Sequence, residues 1–121
     1  MDRDTFEEIV AEALDELPEE FARYLENIEI HVAPRPTREQ RRAAGIKPWQ
    51  TLYGLYEGIP LTERAGGYPL LPDTITIFQE PLVRDFPGRD RLREQVRRTV
   101  LHEIAHFFGI SDERLRELDA Y

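Results

Sequence analysis

Apolar residues recur at helical spacing in the first part of the chain. Residues 4–17 place apolar side chains three and four positions apart, which is typical of an amphipathic helix, and Asp4 and Glu7 suit a capping box at its start. Pro18 interrupts this pattern and is expected to open a second short helix. The inward-facing residues are predicted to be Phe6, Ile9, Val10, Ala13, Leu14 and Leu17 in the first helix and Phe21, Tyr24 and Leu25 in the second.

Alternation of apolar and polar residues predicts strands in the middle of the chain. Residues 28–33 alternate and should form a strand with one buried face, leaving His31 outward as a solvent-facing residue rather than a metal ligand. A turn and a second strand are expected within residues 48–58, where Gly54 marks a bulge or a close backbone approach. The clearest strand pattern covers Asp73–Gln79, which is rich in β-branched residues.

Between these strands, the sequence predicts a short basic helix and a long loop. Thr37 and Gln40 form the pattern of a capping box, and Gly45 should end the helix. This helix carries Arg38, Arg41 and Arg42. They are expected to form an exposed helical face, or alternatively an anion-binding patch. The stretch Glu63–Pro72 contains turn residues and is predicted to be a loop, which is long for so small a protein.

A long helix is predicted after the turn residues at 85–88, with Asp90 as its N-cap. At about 100° per residue, its core face should hold Leu92, Val96, Val100, Ile104 and Phe107. Apolar residues Leu101 and Phe108 lie on a further side, so the second half is expected to be buried nearly all round. The order of elements suggests an α+β fold. We expect a small mixed or antiparallel sheet of three to four strands on this helix, with additional N-terminal helices, in one domain over residues 1–121.

Composition limits the classes of function. The chain has no cysteine, so disulfides and thiolate metal sites are excluded, and any transition-metal site must use His, Asp or Glu. A net charge of -8 argues against general nucleic-acid binding. Apolar runs are too short to span a bilayer, and the acidic N-terminus lacks the features of a signal peptide. We therefore expect a cytoplasmic protein with no membrane partner, whose oligomeric state stays open.

Candidate chemistry lies in the long helix, in the pattern H-E-x-x-H formed by His102, Glu103 and His106. Residues four apart lie on one helix face, so the two imidazoles can bind one zinc ion. Glu103 lies about 100° round from His102 on the helix, close to the metal without being a ligand, which is where a general base is needed. A chance occurrence of this pattern is expected about once in several hundred chains of this length.

The third metal ligand is predicted just beyond the helix. Gly109 can end the helix in the left-handed conformation, and the carboxylate of Asp112 could then reach the metal. The alternative is that Asp112 is the N-cap of a closing helix over residues 113–118. Glu113 and Glu117 are further candidates, and otherwise a water or a side chain of a partner would complete the shell.

Helix burial provides a second reason to expect a metal. Two His and one Glu without partners in a buried helix would cost a few kcal/mol of desolvation, which a bound metal would remove. The competing interpretation is a core helix whose His residues make only hydrogen bonds. Thr99 lies on the same side of the helix as the two His. It could hydrogen-bond to a metal ligand and so support it, or its hydroxyl could bond to the backbone of its own helix.

The segment HEIAHFFGISD resembles the zincin metalloproteases, and its H-E-x-x-H-x-x-G-x-x-D form looks like the metzincin-type signature with Asp for the usual third His. With LYGLYEGIPLTER, LPDTITIFQEPL and VRRTVLHEIAHFFGISDERLREL, most of the chain is similar to a family of small bacterial zincin-like metallopeptidases. The resemblance implies a minimal zincin-like fold, with His102, His106 and Asp112 as zinc ligands and Glu103 as catalytic base. Metzincins also carry a Met-turn after the motif, whereas the only methionine here is Met1.

These features predict a zinc-dependent peptidase. A zinc-activated water would hydrolyse the peptide bond with Glu103 as general base. The substrate would be a peptide or protein, held by addition to the sheet edge near residues 52–58. The alternative, favoured by the small size and the missing Met-turn, is a zinc-binding adaptor or regulatory domain with little or no peptidase activity.

Overall fold

The computed structural model describes residues 1–58 and 72–117. The predicted loop Glu63–Pro72 therefore lies outside the described residues, except for Pro72. The elements in chain order are α1 (Arg3–Asp15), α2 (Glu19–Ala22), a 3-10 helix (Arg23–Asn27), β1 (Ile28–Ala33), α3 (Arg38–Ala44), β2 (Gly54–Glu57), β3 (Asp73–Phe78), α4 (Gln79–Asp85), α5 (Arg89–Phe108) and α6 (Asp112–Glu117).

In the described residues the sheet is mixed and has three strands in the order β1-β3-β2. β1 runs parallel to β3, and β2 runs antiparallel to it. The predicted α+β class and small sheet on a long helix are confirmed. Strand β2 covers only Gly54–Glu57 of the predicted 48–58 stretch, and Gln79 begins α4 rather than ending β3. As predicted, His31 is exposed, and its Nε2 lies 2.9 Å from Oε2 of Glu29.

Several helix boundaries differ from the sequence-based expectations. Asp2, not Asp4, caps α1 by accepting the Thr5 N–H at 2.7 Å. Gly88, with φ 98°, precedes α5, so the predicted N-cap Asp90 lies in its first turn instead. The sequence also gave no expectation of α4, which includes a proline in its first turn, where a missing N–H is tolerated. The capping box of α3 and its left-handed Gly45 are confirmed.

The core lies between α1, α5 and the inner face of the sheet. Each fully buried large apolar side chain stabilises the fold by about 1.5–3 kcal/mol relative to exposure. The side chains that fill this core include Phe6, Ile9, Ala13, Phe21, Ile75, Ile77, Leu92, Val96, Val100, Leu101 and Ile104. Ion pairs flank the contact between α1 and α5, with Arg89 2.8 Å from Glu12 and Arg93 3.1 Å from Glu16. In the described part of the chain, no helix is long and apolar enough to cross a membrane.

The last turn of α5 is open to solvent. His106 is exposed, and 51% of Phe107 and 44% of Phe108 are accessible. The predictions that Phe107 belongs to the core face and that this half of the helix is buried nearly all round are therefore wrong. Phe107 is covered on one face by Tyr56 and Gly58, and this contact leaves about half of its surface accessible.

β2 runs along α5 in unusually close contact, because glycines stand at its start and just after its end. Two residues of a strand advance about 6.8 Å and four residues of a helix about 6 Å, so the two elements stay nearly in step. The matched positions are Gly54 with Thr99, Tyr56 with Glu103, and Gly58 with Phe107. A Cβ at Gly54 would lie 2.7 Å from Cγ2 of Thr99, which confirms the close backbone approach expected at this glycine.

We predict that Gly54→Ala lowers the free energy of unfolding by about 1–3 kcal/mol, because buried Thr99 cannot yield to the added methyl group. Adding Thr99→Ser removes the clashing methyl and should restore part of the loss. Only part is restored, because the new Cβ also lies 3.3 Å from the Thr76 carbonyl oxygen. Urea unfolding of the two single variants and the double variant measures this coupling.

Gly58→Ala is the matched control. Its Cβ would lie 2.9 Å from Cζ of Phe107, which is the outer end of a half-exposed side chain and can move aside. This variant should therefore cost less than Gly54→Ala. An unchanged stability of Gly54→Ala, or no recovery with Thr99→Ser, would contradict the proposed contact.

Candidate metal centre

The two motif histidines lie one turn apart near the end of α5. His102 is half-buried and lines a cleft, whereas His106 lies in the last turn and is exposed. A helix carries partial negative charge at its carboxyl end, so this turn favours a cation. Because His106 is exposed, the expectation that burial alone requires a partner for both imidazoles is wrong. The i, i+4 spacing on one helix face still suits a shared metal ion.

Glu103 is half-buried and lies against the edge of the sheet. Its Oε1 accepts the backbone N–H of Tyr56 in β2 at 2.8 Å. Burial raises the pKa of the Glu103 carboxyl, against the lowering effects of the Tyr56 N–H and of charge on His106. α5 and β2 together therefore hold one oxygen of the Glu103 carboxylate in a fixed position. Glu103 is adjacent to His102 in sequence and lines the same cleft.

The chain turns back after α5 as the sequence predicts. Gly109 has φ 71° and ψ 27°, and the Ile110 N–H donates to the Ala105 carbonyl at 2.8 Å. Ser111 then caps α6, since its Oγ accepts the Arg114 N–H at 3.2 Å. Asp112 is the exposed first residue of α6. The N-cap alternative for Asp112 is therefore wrong, and the predicted end of α6 at 118 lies outside the described residues.

A complete ligand set is not assembled in residues 1–58 and 72–117. Within these ranges no three His, Asp or Glu side chains form a group that could hold a metal ion, and this includes Asp112 with the two histidines. The donors that the motif supplies are nevertheless of the right chemistry, since neutral imidazole is a good zinc ligand. The chemistry of His102 and His106 suits zinc, and the roles of His102, His106 and Asp112 as metal ligands stay predictions.

An aromatic cluster borders the motif. The ring of Tyr56 stacks on Phe107 with centroids 4.0 Å apart, and Phe108 meets Tyr56 edge-on at 6.0 Å. The Tyr56 hydroxyl donates to buried Asp73 at 2.6 Å. Tyr56 is thus held at its ring, its hydroxyl and its backbone, which keeps its N–H directed at Glu103.

A cleft of about 390 Å³ opens beside the motif, between the segment before β2 and the outer side of α5. Its walls include Thr51, Tyr53, Gln95, Arg98, His102 and Glu103. Thr99 also lines it. Its hydroxyl lies 3.4 Å from Gln95 Nε2, and its methyl group lies against Gly54. Sequence reasoning did not find the role of Tyr56. The signal that pointed to Tyr56 was a short apolar strand bracketed by two glycines.

Comparison with known proteins agrees with this geometry. No curated protein matches the chain significantly. The family model described as zincin-like metallopeptidase matches residues 25–121, which is most of the chain and includes the sheet, the long helix and the turn after it. This family implies a metal cofactor, typically zinc, and a hydrolase. The chain belongs to the zincin-like metallopeptidase family.

Proposed function

We propose that the protein is a zinc-dependent peptidase that hydrolyses peptide bonds with Glu103 as general base. The observation that carries this proposal is the position of the Glu103 carboxylate, which lines a cleft with His102 while its Oε1 is bonded to the sheet edge. A structural carboxylate would have little reason to face a cleft beside two imidazoles.

His102 and His106 would hold the metal through ring nitrogens, with Asp112 as the proposed third ligand. Zinc, when bound, lowers the pKa of a coordinated water and polarises the scissile carbonyl. The donors present suit this ion because imidazole nitrogen and carboxylate oxygen are both zinc ligands. Asp112 comes three residues after the left-handed Gly109. Only Ile110 and Ser111 lie between them, so this short connection limits how far Asp112 can be from the two histidines.

Glu103 would accept the proton of the attacking water and return it to the leaving amine. The Tyr56 N–H supports this role by holding Oε1 and leaving Oε2 outside that hydrogen bond. Proton transfer needs a donor and acceptor within hydrogen-bond reach, so a carboxylate fixed by the backbone is better suited than one on a mobile side chain.

The substrate would be an extended peptide lying along β2. Among the strands of residues 1–58 and 72–117, β2 lies at the edge of the sheet, with β3 on one side. In an antiparallel pair, alternate residues direct their backbone groups away from the partner strand. Tyr56 is one of these, but its N–H already bonds to Glu103, so a bound peptide would pair with the other outward backbone groups of this edge. A peptide on this edge would therefore lie next to the proposed base.

A second candidate function is a zinc-binding adaptor with little turnover. It is favoured by the lack of a converged third ligand among the described residues. This candidate predicts bound zinc but no cleavage of a broad peptide library.

We predict that Glu103→Gln keeps zinc bound and lowers kcat by about 10²–10⁴, the usual contribution of a general base. Metal content by elemental analysis and hydrolysis of a proteome-derived peptide library measure the two properties separately. Glu26→Gln, an exposed glutamate far from the motif in sequence, is the control for nonspecific loss. Hydrolysis by Glu103→Gln at the rate of the original protein would rule out the assigned role.

Zinc affinity identifies the ligands. His106→Ala and Asp112→Ala should each weaken zinc binding by more than about 100-fold, since even residues that only support ligands contribute 10- to 100-fold. Competition with a chromogenic chelator gives the affinity.

Asp90→Ala is the matched control, because Asp90 is also an exposed aspartate in the first turn of a helix. Normal zinc binding by Asp112→Ala would contradict its assignment. The third ligand would then be Glu113 or Glu117, whichever alanine variant loses zinc.

A further inference from the structure

A second groove adjoins the cleft of the candidate site. It has a volume of about 620 Å³ and shares the wall residues Thr51 and Leu52 with that cleft. Trp49 lies on this second groove, and 76% of its side chain is exposed. An exposed tryptophan is uncommon on a surface with no partner, and tryptophan is enriched where proteins bind other proteins.

The groove lies in the basic part of an acidic protein. Residues 34–50 contain five basic residues and one acidic residue, Glu39, although the whole chain has a net charge of -8. The basic residues are Arg35, Arg38, Arg41, Arg42 and Lys47. Such charge asymmetry attracts anionic ligands to one region of the surface.

The charges that face the groove are mainly arginine. Its lining includes Arg35, Arg41 and Arg84, with Glu80 as the acidic member. Arg35 lies 3.4 Å from Glu80, and Arg84 lies 2.8 Å from Asp85. Arg41 instead donates to three backbone carbonyls at 2.9–3.2 Å, so its charge meets no carboxylate in the contacts described for it. These bonds also hold the segment before Trp49 and Thr51 in place.

We propose that this surface, defined by Arg35, Arg41, Trp49 and Arg84, binds an acidic segment of the peptide substrate and so determines substrate class. The inference rests on the proposed peptidase function. Tyr56, which bonds to Glu103, comes five positions after Thr51, and an extended chain covers about 17 Å over that span. Acidic side chains of the substrate would therefore lie about five positions from the scissile bond, on one side of it.

Trp49 is the only tryptophan of the chain, so its fluorescence reports on this groove directly. The probes are three twelve-residue peptides without tryptophan: one with Asp and Glu around a phenylalanine, one with Asn and Gln in their place, and one with lysine. They are titrated into the Glu103→Gln variant of residues 1–121, because loss of the proposed base prevents cleavage from disturbing the titration. The acidic peptide should shift the emission to the blue and bind at least about tenfold more tightly than the neutral peptide, with an affinity that falls as salt is added.

Variants locate the binding site. Arg35→Gln and Arg84→Gln should each weaken binding of the acidic peptide by about two- to fivefold, as expected for exposed ion pairs. Arg3→Gln is the control, because Arg3 is an exposed arginine paired with one glutamate, as Arg35 is. Trp49→Ala, followed by the anisotropy of a labelled peptide, should weaken binding by about tenfold.

Three results would overturn the proposal. They are equal binding of acidic and neutral peptides, tighter binding of a single-stranded oligonucleotide of the same charge, and a Trp49 shift that follows protein concentration without peptide, which indicates self-association. Cleavage of a library by the original protein separates this inference from the peptidase function. Cleavage without an acidic preference removes only the groove proposal, whereas acidic binding at Trp49 without any cleavage removes the peptidase proposal and leaves the groove as a binding site.

Discussion

The hydrogen bond from the Tyr56 N–H to Glu103 is the contact on which the arrangement of the site depends. It can form only if the backbone of β2 comes very close to α5, and Gly54 and Gly58 allow that approach. The same approach stacks Tyr56 on Phe107 and directs the Glu103 carboxylate inward. The distance between strand and helix therefore determines both the position of the proposed base and the width of the cleft beside it.

Glu103 and His106 differ in how far they are buried. The Glu103 carboxylate is shielded and held by the backbone, which suits a group that must keep one orientation. His106 lies open at the carboxyl end of the helix, where a cation is favoured and where a metal can enter. Solvent access at the imidazoles and restraint at the carboxylate are the properties that a hydrolytic metal site needs from its protein.

Charge is also distributed unevenly over the molecule. Acidic residues of α1 pair with arginines of α5, as with Glu12 and Arg89, so part of the acidic N-terminal helix contributes to packing and is not only a solvated face. An excess of basic over acidic residues occurs instead in residues 34–50, in and around α3. An acidic peptide is therefore repelled by much of the surface and attracted to the region next to the cleft.

The sequence by itself determined the elements whose signals are local. Periodicity, the capping box at Thr37 and the left-handed Gly109 specify helices and their ends within a few neighbouring residues, and the spacing of His102 and His106 places both imidazoles on one helix face. Only the tertiary structure decided how far β2 covers α5, and hence that Phe107 is exposed and that Glu103 bonds to Tyr56 across 47 positions of sequence. Helix periodicity tells which residues share a face, but the length and closeness of the packing strand decide whether that face is covered.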